Sequence, residues 1–154
     1  MGGVPGRWMV HGTFELDDDE ALIVKTAPAS GNYQGIQLLD LWLEALEYAN
    51  RQTSLTGDQT QPADDGCYRY VVSSRDPGVA NWLDTVGRRR GVMLLRYDGT
   101  TEGILDSRAR PTTTKVKLSE LAAHLAEGTV AVSPEERRRE IAARRKHVQI
   151  RFGN

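Results

Sequence analysis

Between residues 75 and 96 the chain collects the side chains best suited to polar chemistry. Asp76 and Asp84 are candidate acid/base groups, and Arg75 and Arg96 are candidate anion partners. Asn81 and Trp82 sit where they could orient and shield a ligand. A carboxylate shielded by an indole has a raised pKa and can exchange a proton near neutrality. The expected site therefore has Asp76 and Asp84 as catalytic carboxylates, with Arg75, Asn81, Trp82 and Arg96 binding the ligand. The same residue types also make a purely structural network. In that arrangement Asp76 initiates a turn, Asn81 ties the loop to itself, Trp82 plugs the core and Arg96 pairs with Asp84. Ion-pair networks perturb ionisable groups as active sites do, and the structural reading is preferred.

Other constellations fall short of known chemistry. His11, His124 and His147 lack the spacing of a zinc site, and Cys67 has no histidine beside it, so no metal and no cofactor is expected. Gly87 and Gly91 flank Arg88-Arg89-Arg90 without the ending of a phosphate loop, and no nucleophile elbow is present. The arginine tract could grip an anion, but a solvated edge that prevents sheet pairing is favoured. The carboxylates of Asp17-Asp18-Asp19-Glu20 and Asp64-Asp65 do not follow a calcium loop and read as turn residues.

The elements that must position these groups follow from patterning. Glu20–Thr26 is a short β-type run, and residues 67–72 and 92–97 are further strands. Residues 112–118 alternate as a β-branched strand. The run from Tyr33 to Leu46 suits a strand or a helix by periodicity; Gly35 and the aromatic spacing favour a strand over 33–43. Asp76-Pro77-Gly78 starts a tight turn, so residues 74–91 are expected as a rigid loop. Ser119 is placed to cap a helix that Gly128 stops. Ser133-Pro134-Glu135-Glu136 reads as a capping box opening a basic helix over 134–148. Residues 1–14 are expected as an N-terminal arm. Strands first and helices last predict a mainly β single domain, an antiparallel β-sandwich with one or two C-terminal helices.

The 154 residues can bury a sizeable core as one domain. No apolar run is long enough to span a membrane as a helix, no secretory leader is visible, and a lone cysteine fits a reducing compartment, so the expected setting is cytoplasmic. The net charge of −1 is unevenly spread: residues 134–154 carry seven Lys/Arg against three Glu. Arg137, Arg138, Arg139, Arg144, Arg145 and Lys146 could meet nucleic acid or an acidic partner, but such a run is usually a solvated face, and nucleic acid is not favoured.

Asn50-Arg51-Gln52-Thr53-Ser54-Leu55, Asp76-Pro77-Gly78, Asn81-Trp82-Leu83-Asp84-Thr85 and the strand ending in Arg96 together resemble the domain-of-unknown-function family numbered 1214. The resemblance covers roughly residues 15–154. It implies a sandwich of jelly-roll character in bacterial proteins and brings no established activity, so no catalytic residue transfers from it. Family members extend upstream of the position matching Phe14, so a short member or a fragment is expected here. The leading expectation is a small-molecule binding or accessory domain, oligomeric or docked to a partner domain. The alternative is a cofactor-independent enzyme acting on a small organic substrate. A binding module needs a cavity of at least roughly 300 Å3. The enzyme needs both loop carboxylates in one pocket, unengaged by backbone amides.

Overall fold

Two stretches of this chain are apolar almost without interruption, and the reason is that both of their faces are covered. A computed structural model describes residues 4–153. Its strands are β1 (Arg7–Glu15), β2 (Glu20–Thr26), β3 (Tyr33–Leu39), β4 (Ser54–Thr56), β5 (Tyr68–Ser73), β6 (Trp82–Asp84), β7 (Arg90–Asp98) and β8 (Thr112–Lys117). Two helices follow, α1 (Leu121–His124) and α2 (Pro134–Phe152). The strands form two four-stranded sheets, ordered β1-β7-β3-β4 and β6-β5-β2-β8. All ladders are antiparallel except β5 with β6, which is parallel.

The main core draws on both sheets. Ile36, Leu38, Met93, Leu95 and Tyr97 come from the first, and Leu22, Val24, Tyr70, Val72 and Leu83 from the second. The other face of the second sheet carries a separate cluster, in which Ala21, Ile23, Val71, Trp82 and Val116 meet Leu121 of α1 and Val79. That double cover is why β2 and β5 do not alternate polar with apolar residues. Tyr97 donates its hydroxyl to the Ala109 carbonyl at 3.1 Å, pinning the 103–111 connection to the core.

Several boundaries differ from expectation. The N-terminal arm is in fact largely strand: β1 pairs with β7 over its whole length. The strand expected over 33–43 ends at Leu39, because Asp40 turns the chain. Its Oδ1 accepts the amides of Trp42 at 2.8 Å and Glu44 at 3.0 Å. The turn exposes Leu41, Trp42 and Leu43, the last with φ of 65°. The segment expected as one loop over 74–91 contains β6. The helix expected after Ser119 is a 3-10 turn running into only four residues of α1, since Leu125 is already extended. The Ser133 capping box forms, with Glu136 Oε2 accepting the Ser133 amide at 2.8 Å, and α2 runs on past residue 148 to a left-handed Gly153. In the tract between the two glycines, Arg89 pairs with Asp17 and Arg90 with Glu15. Among the described residues no helix is long and apolar enough to cross a membrane.

Candidate functional site

Helix α2 has almost no apolar stripe, so arginines must hold it in place. Arg137 is 6% exposed, although its class of residue is almost never buried unpaired. Its Nε donates to Asp76 Oδ2 at 2.8 Å, Nη1 donates to Glu140 at 2.8 Å, and Nη2 donates to the Val79 carbonyl. The guanidinium carbon lies 5.3 Å from the Trp82 ring centroid, a cation–π distance. The chain leading into α2 is fixed by the same loop. Gly78, at φ of 75°, accepts the Val132 amide at 2.8 Å, and Ala80 donates to the Val130 carbonyl at 2.9 Å.

Two turns further on, Arg144 faces the same way. Its Nη2 donates to the Ser54 carbonyl at 2.7 Å and its Nη1 to Ser54 Oγ at 3.4 Å. Both acceptors are neutral. Burial pulls the Arg144 guanidinium below its ordinary pKa, with the charge of Glu140 opposing the shift. Between α2 and residues 48–61 lies an open-sided cavity of about 670 Å3. Its polar lining includes Gln52, Gln59, Arg144, His147 and Arg151 together with the carboxylate of Glu140, and Leu55 and Phe152 are among its apolar residues. The spacing Arg137, Arg144, Arg151 places three guanidinium groups on one helical face. That seven-residue spacing in a helix without an apolar stripe is the sequence signal for this groove, which neither the solvated-face reading nor the acidic-partner reading of the basic run uses.

The six residues expected to form one site are dispersed in the fold. Asp76 uses both oxygens: Oδ1 accepts the Gly78 amide at 2.8 Å and Oδ2 holds Arg137. Asp84 does the same, with Oδ1 accepting the Val86 amide at 2.7 Å and Oδ2 meeting Arg51 Nη1 at 3.2 Å. The pairing expected between Arg96 and Asp84 is absent because Arg96 lies exposed on β7, in the other sheet, near Asp98. Asn81 is tied not to its own loop but to Gln61, donating to its carbonyl at 2.7 Å and accepting its amide at 2.9 Å. Trp82 is buried, and its Nε1 donates to the Ser73 carbonyl at 3.2 Å. Arg75 is exposed beside a shallow depression of about 420 Å3 that Asp76 also borders and Asp84 does not line. Asp76, Trp82 and Arg137 thus form one cluster, and Asp84 belongs to another.

That second cluster joins the two sheets. Gln52 Nε2 donates to the carbonyls of Trp82 at 2.7 Å and Ala80 at 3.0 Å, and the Asp84 amide donates to Gln52 O at 2.8 Å. Thr53 O accepts the Leu38 amide at 2.8 Å. Residues 50–55 and 81–85 are therefore bonded to each other. The Thr85 hydroxyl is buried there without a hydrogen-bond partner among the described residues.

No protein-family model and no curated protein matches the chain. Its fold recurs in solved structures, among them two bacterial proteins. An uncharacterised protein from Burkholderia cenocepacia superposes with a TM-score of 0.69 at 31% identity, over 77% of this chain and 32% of its own. A protein from Vibrio parahaemolyticus superposes with a TM-score of 0.57 at 18% identity, over 75% of this chain and 32% of its own. The chain spans about a third of the length of each of these two structures.

Proposed function

We propose that this domain binds a small anionic organic molecule, its acid group on Arg144 and its apolar body along Leu55 and Phe152. One observation carries the reading: a half-buried guanidinium bonded only to neutral oxygens lines a cavity of about 670 Å3. That volume lies within the usual range for small-molecule sites. A cation partly removed from water gains more from an incoming anion than a solvated one does, because the local dielectric is lower. The loop carboxylates serve this reading indirectly. Asp76 seats Arg137, and Arg137 fixes the helix that forms one wall of the groove.

The β-sandwich and the likeness to the domain-of-unknown-function family numbered 1214 belong to the same proposal. The core shared by both sheets supports the first, and the mutual bonding of residues 50–55 with 81–85 supports the second. Jelly-roll connectivity has less support, since β1 pairs with β7 and β2 with β8, and such ladders cross instead of nesting. A cytoplasmic setting is proposed with it, on the free and buried Cys67.

The test is a thermal-shift comparison of octanoate with octanol, on the wild type and on Arg144→Gln. At a hundredfold excess over Kd, ligand linkage raises stability by about 2.7 kcal/mol, or about 5–10 °C in Tm for a chain of this size. The acid should shift the wild type and leave Arg144→Gln unmoved. Equal shifts for acid and alcohol, or none for either, would refute it.

A further inference from the structure

Each of the two sheets has two edges, and three of the four are blunted. Strands β4 and β6 are three residues long, and β8 carries Lys115 and Lys117. Short strands and lysines are common guards against edge pairing. Strand β1 has neither. It runs nine residues from Arg7 to Glu15 without Pro, Lys or bulge, in one-to-one register with β7. Among the described residues no strand pairs with its other side.

The ladder fixes which backbone groups point outward. The Leu16 amide donates to Arg89 O, one step beyond the pair Glu15 and Arg90. Antiparallel pairs alternate between hydrogen-bonded and non-hydrogen-bonded. The even positions of β1 therefore bond β7, and the odd positions turn their amides and carbonyls away from it. At the ends the Arg7 amide is taken by the Val4 carbonyl and the Glu15 carbonyl by Lys115 Nζ, which leaves Met9, His11 and Thr13 facing the free edge with both groups.

We propose that this edge pairs antiparallel with β1 of a second copy of the chain, about a two-fold axis at His11. Only an even register sets odd against odd, as the outward groups require. Among even registers, only the one centred on His11, the midpoint of the strand, sets Met9, His11 and Thr13 of the two copies all against one another. It sets Arg7 opposite Glu15 of the second copy at both ends. Within one chain Arg7 already pairs with Asp98, and Glu15 with Arg90 at 2.6 Å. The joined sheet would then carry Asp98, Arg7, the second copy's Glu15 and its Arg90 side by side, alternating in sign across four strands. On the inner face, Trp8, at 37% exposure, would come opposite the second copy's Phe14. Opposite charges and aromatic residues facing across strands both stabilise pairing.

Sedimentation equilibrium of the full chain tests this with two charge variants. The wild type should weigh twice the 17.1 kDa of one chain. Arg7→Glu places two acids against each other at both ends of the interface, and Glu15→Arg places two bases. Each variant alone should dimerise at least about tenfold more weakly. Mixed one to one, they restore opposite charges at both ends and should recover the dimer as a heterodimer. That recovery also shows that each variant is folded. A wild type that stays monomeric up to about 1 mM, where even a millimolar Kd is visible, overturns the proposal. So does a dimer that neither variant weakens, which would place association at another surface such as the exposed Leu41-Trp42-Leu43 turn, and so does a mixture that fails to recover.

Discussion

Replacing Arg137 with Met should loosen α2 while leaving the sheets intact. The methionine roughly matches the aliphatic length and removes the charge. The loss has three parts. The bonds to Asp76 and to the Val79 carbonyl start from a guanidinium only 7% exposed, but Asp76 keeps 30% of its side chain in water. That access lowers the penalty on the abandoned carboxylate, so these two bonds together contribute about 2–3 kcal/mol rather than the larger cost of a fully buried pair. The contact with Trp82 contributes about 1 kcal/mol. Glu140 is 46% exposed and adds little. The sum is about 3–4 kcal/mol, which corresponds to a few-hundredfold to roughly thousandfold change in an equilibrium constant. Because these bonds join α2 to the sheets, the change should appear as local opening. Amide hydrogen exchange over residues 134–152 should accelerate by about two to three orders of magnitude, with β5 and β7 unchanged. Arg137→Lys, which keeps the charge and loses the fork, should fall between. Acceleration below about fivefold in α2 would refute the assignment of Arg137 as the anchor of the helix.

Three further outcomes are expected. Gly91→Ala should cost about 1–3 kcal/mol in urea unfolding, because a Cβ there would lie 2.5 Å from the Phe14 ring and 2.7 Å from the Leu39 carbonyl oxygen; an unchanged midpoint would contradict the close approach of β1, β3 and β7. Leu43→Asn should raise stability by about 0.5–1 kcal/mol, since Leu43 is exposed at a left-handed φ that Asn tolerates; a loss would show that its side chain makes a contact. Glu20 is held at a pKa of about 2 by the Asp17 amide first and then by Lys115. A depressed carboxylate contributes stability above its unfolded pKa and loses it as pH falls through the folded one. The stability gap between wild type and Glu20→Gln should therefore be full near neutrality, shrink as pH falls from about 4.5 and close near pH 2, and a gap independent of pH would contradict it.

The core strands were legible because their composition has one physical reading. β2, β5 and β7 are apolar, bounded by turn residues and too short for helices. β1 was missed because Arg7–Glu15 pairs along one edge and faces water on much of its surface, leaving little apolar signal. Residues 44–52 are rich in helix formers, yet Asp40 has already reversed the chain and Gln52 is drawn across to the Trp82 carbonyl, a tertiary bond that no local pattern announces. The polar cluster of residues 76–84 was legible as a set of interacting groups. Its partners were not, because Arg137 and Arg51 lie far away in sequence, and carboxylates that look available in the chain are occupied in the fold. The groove escaped notice for a related reason. Its acid-binding candidate, Arg144, stands among exposed arginines of the same helix, and only its position over Ser54 sets it apart.

The most direct test of the central claim is to locate the ligand. Titrating octanoate into the isotopically labelled chain and following amide shifts by two-dimensional NMR should move Gln52, Ser54, Leu55, Arg144 and His147 together, along one saturating curve. Shifts confined to the depression beside Asp76 and Leu121, or none at all, would contradict the assignment of the groove under α2 as the binding site.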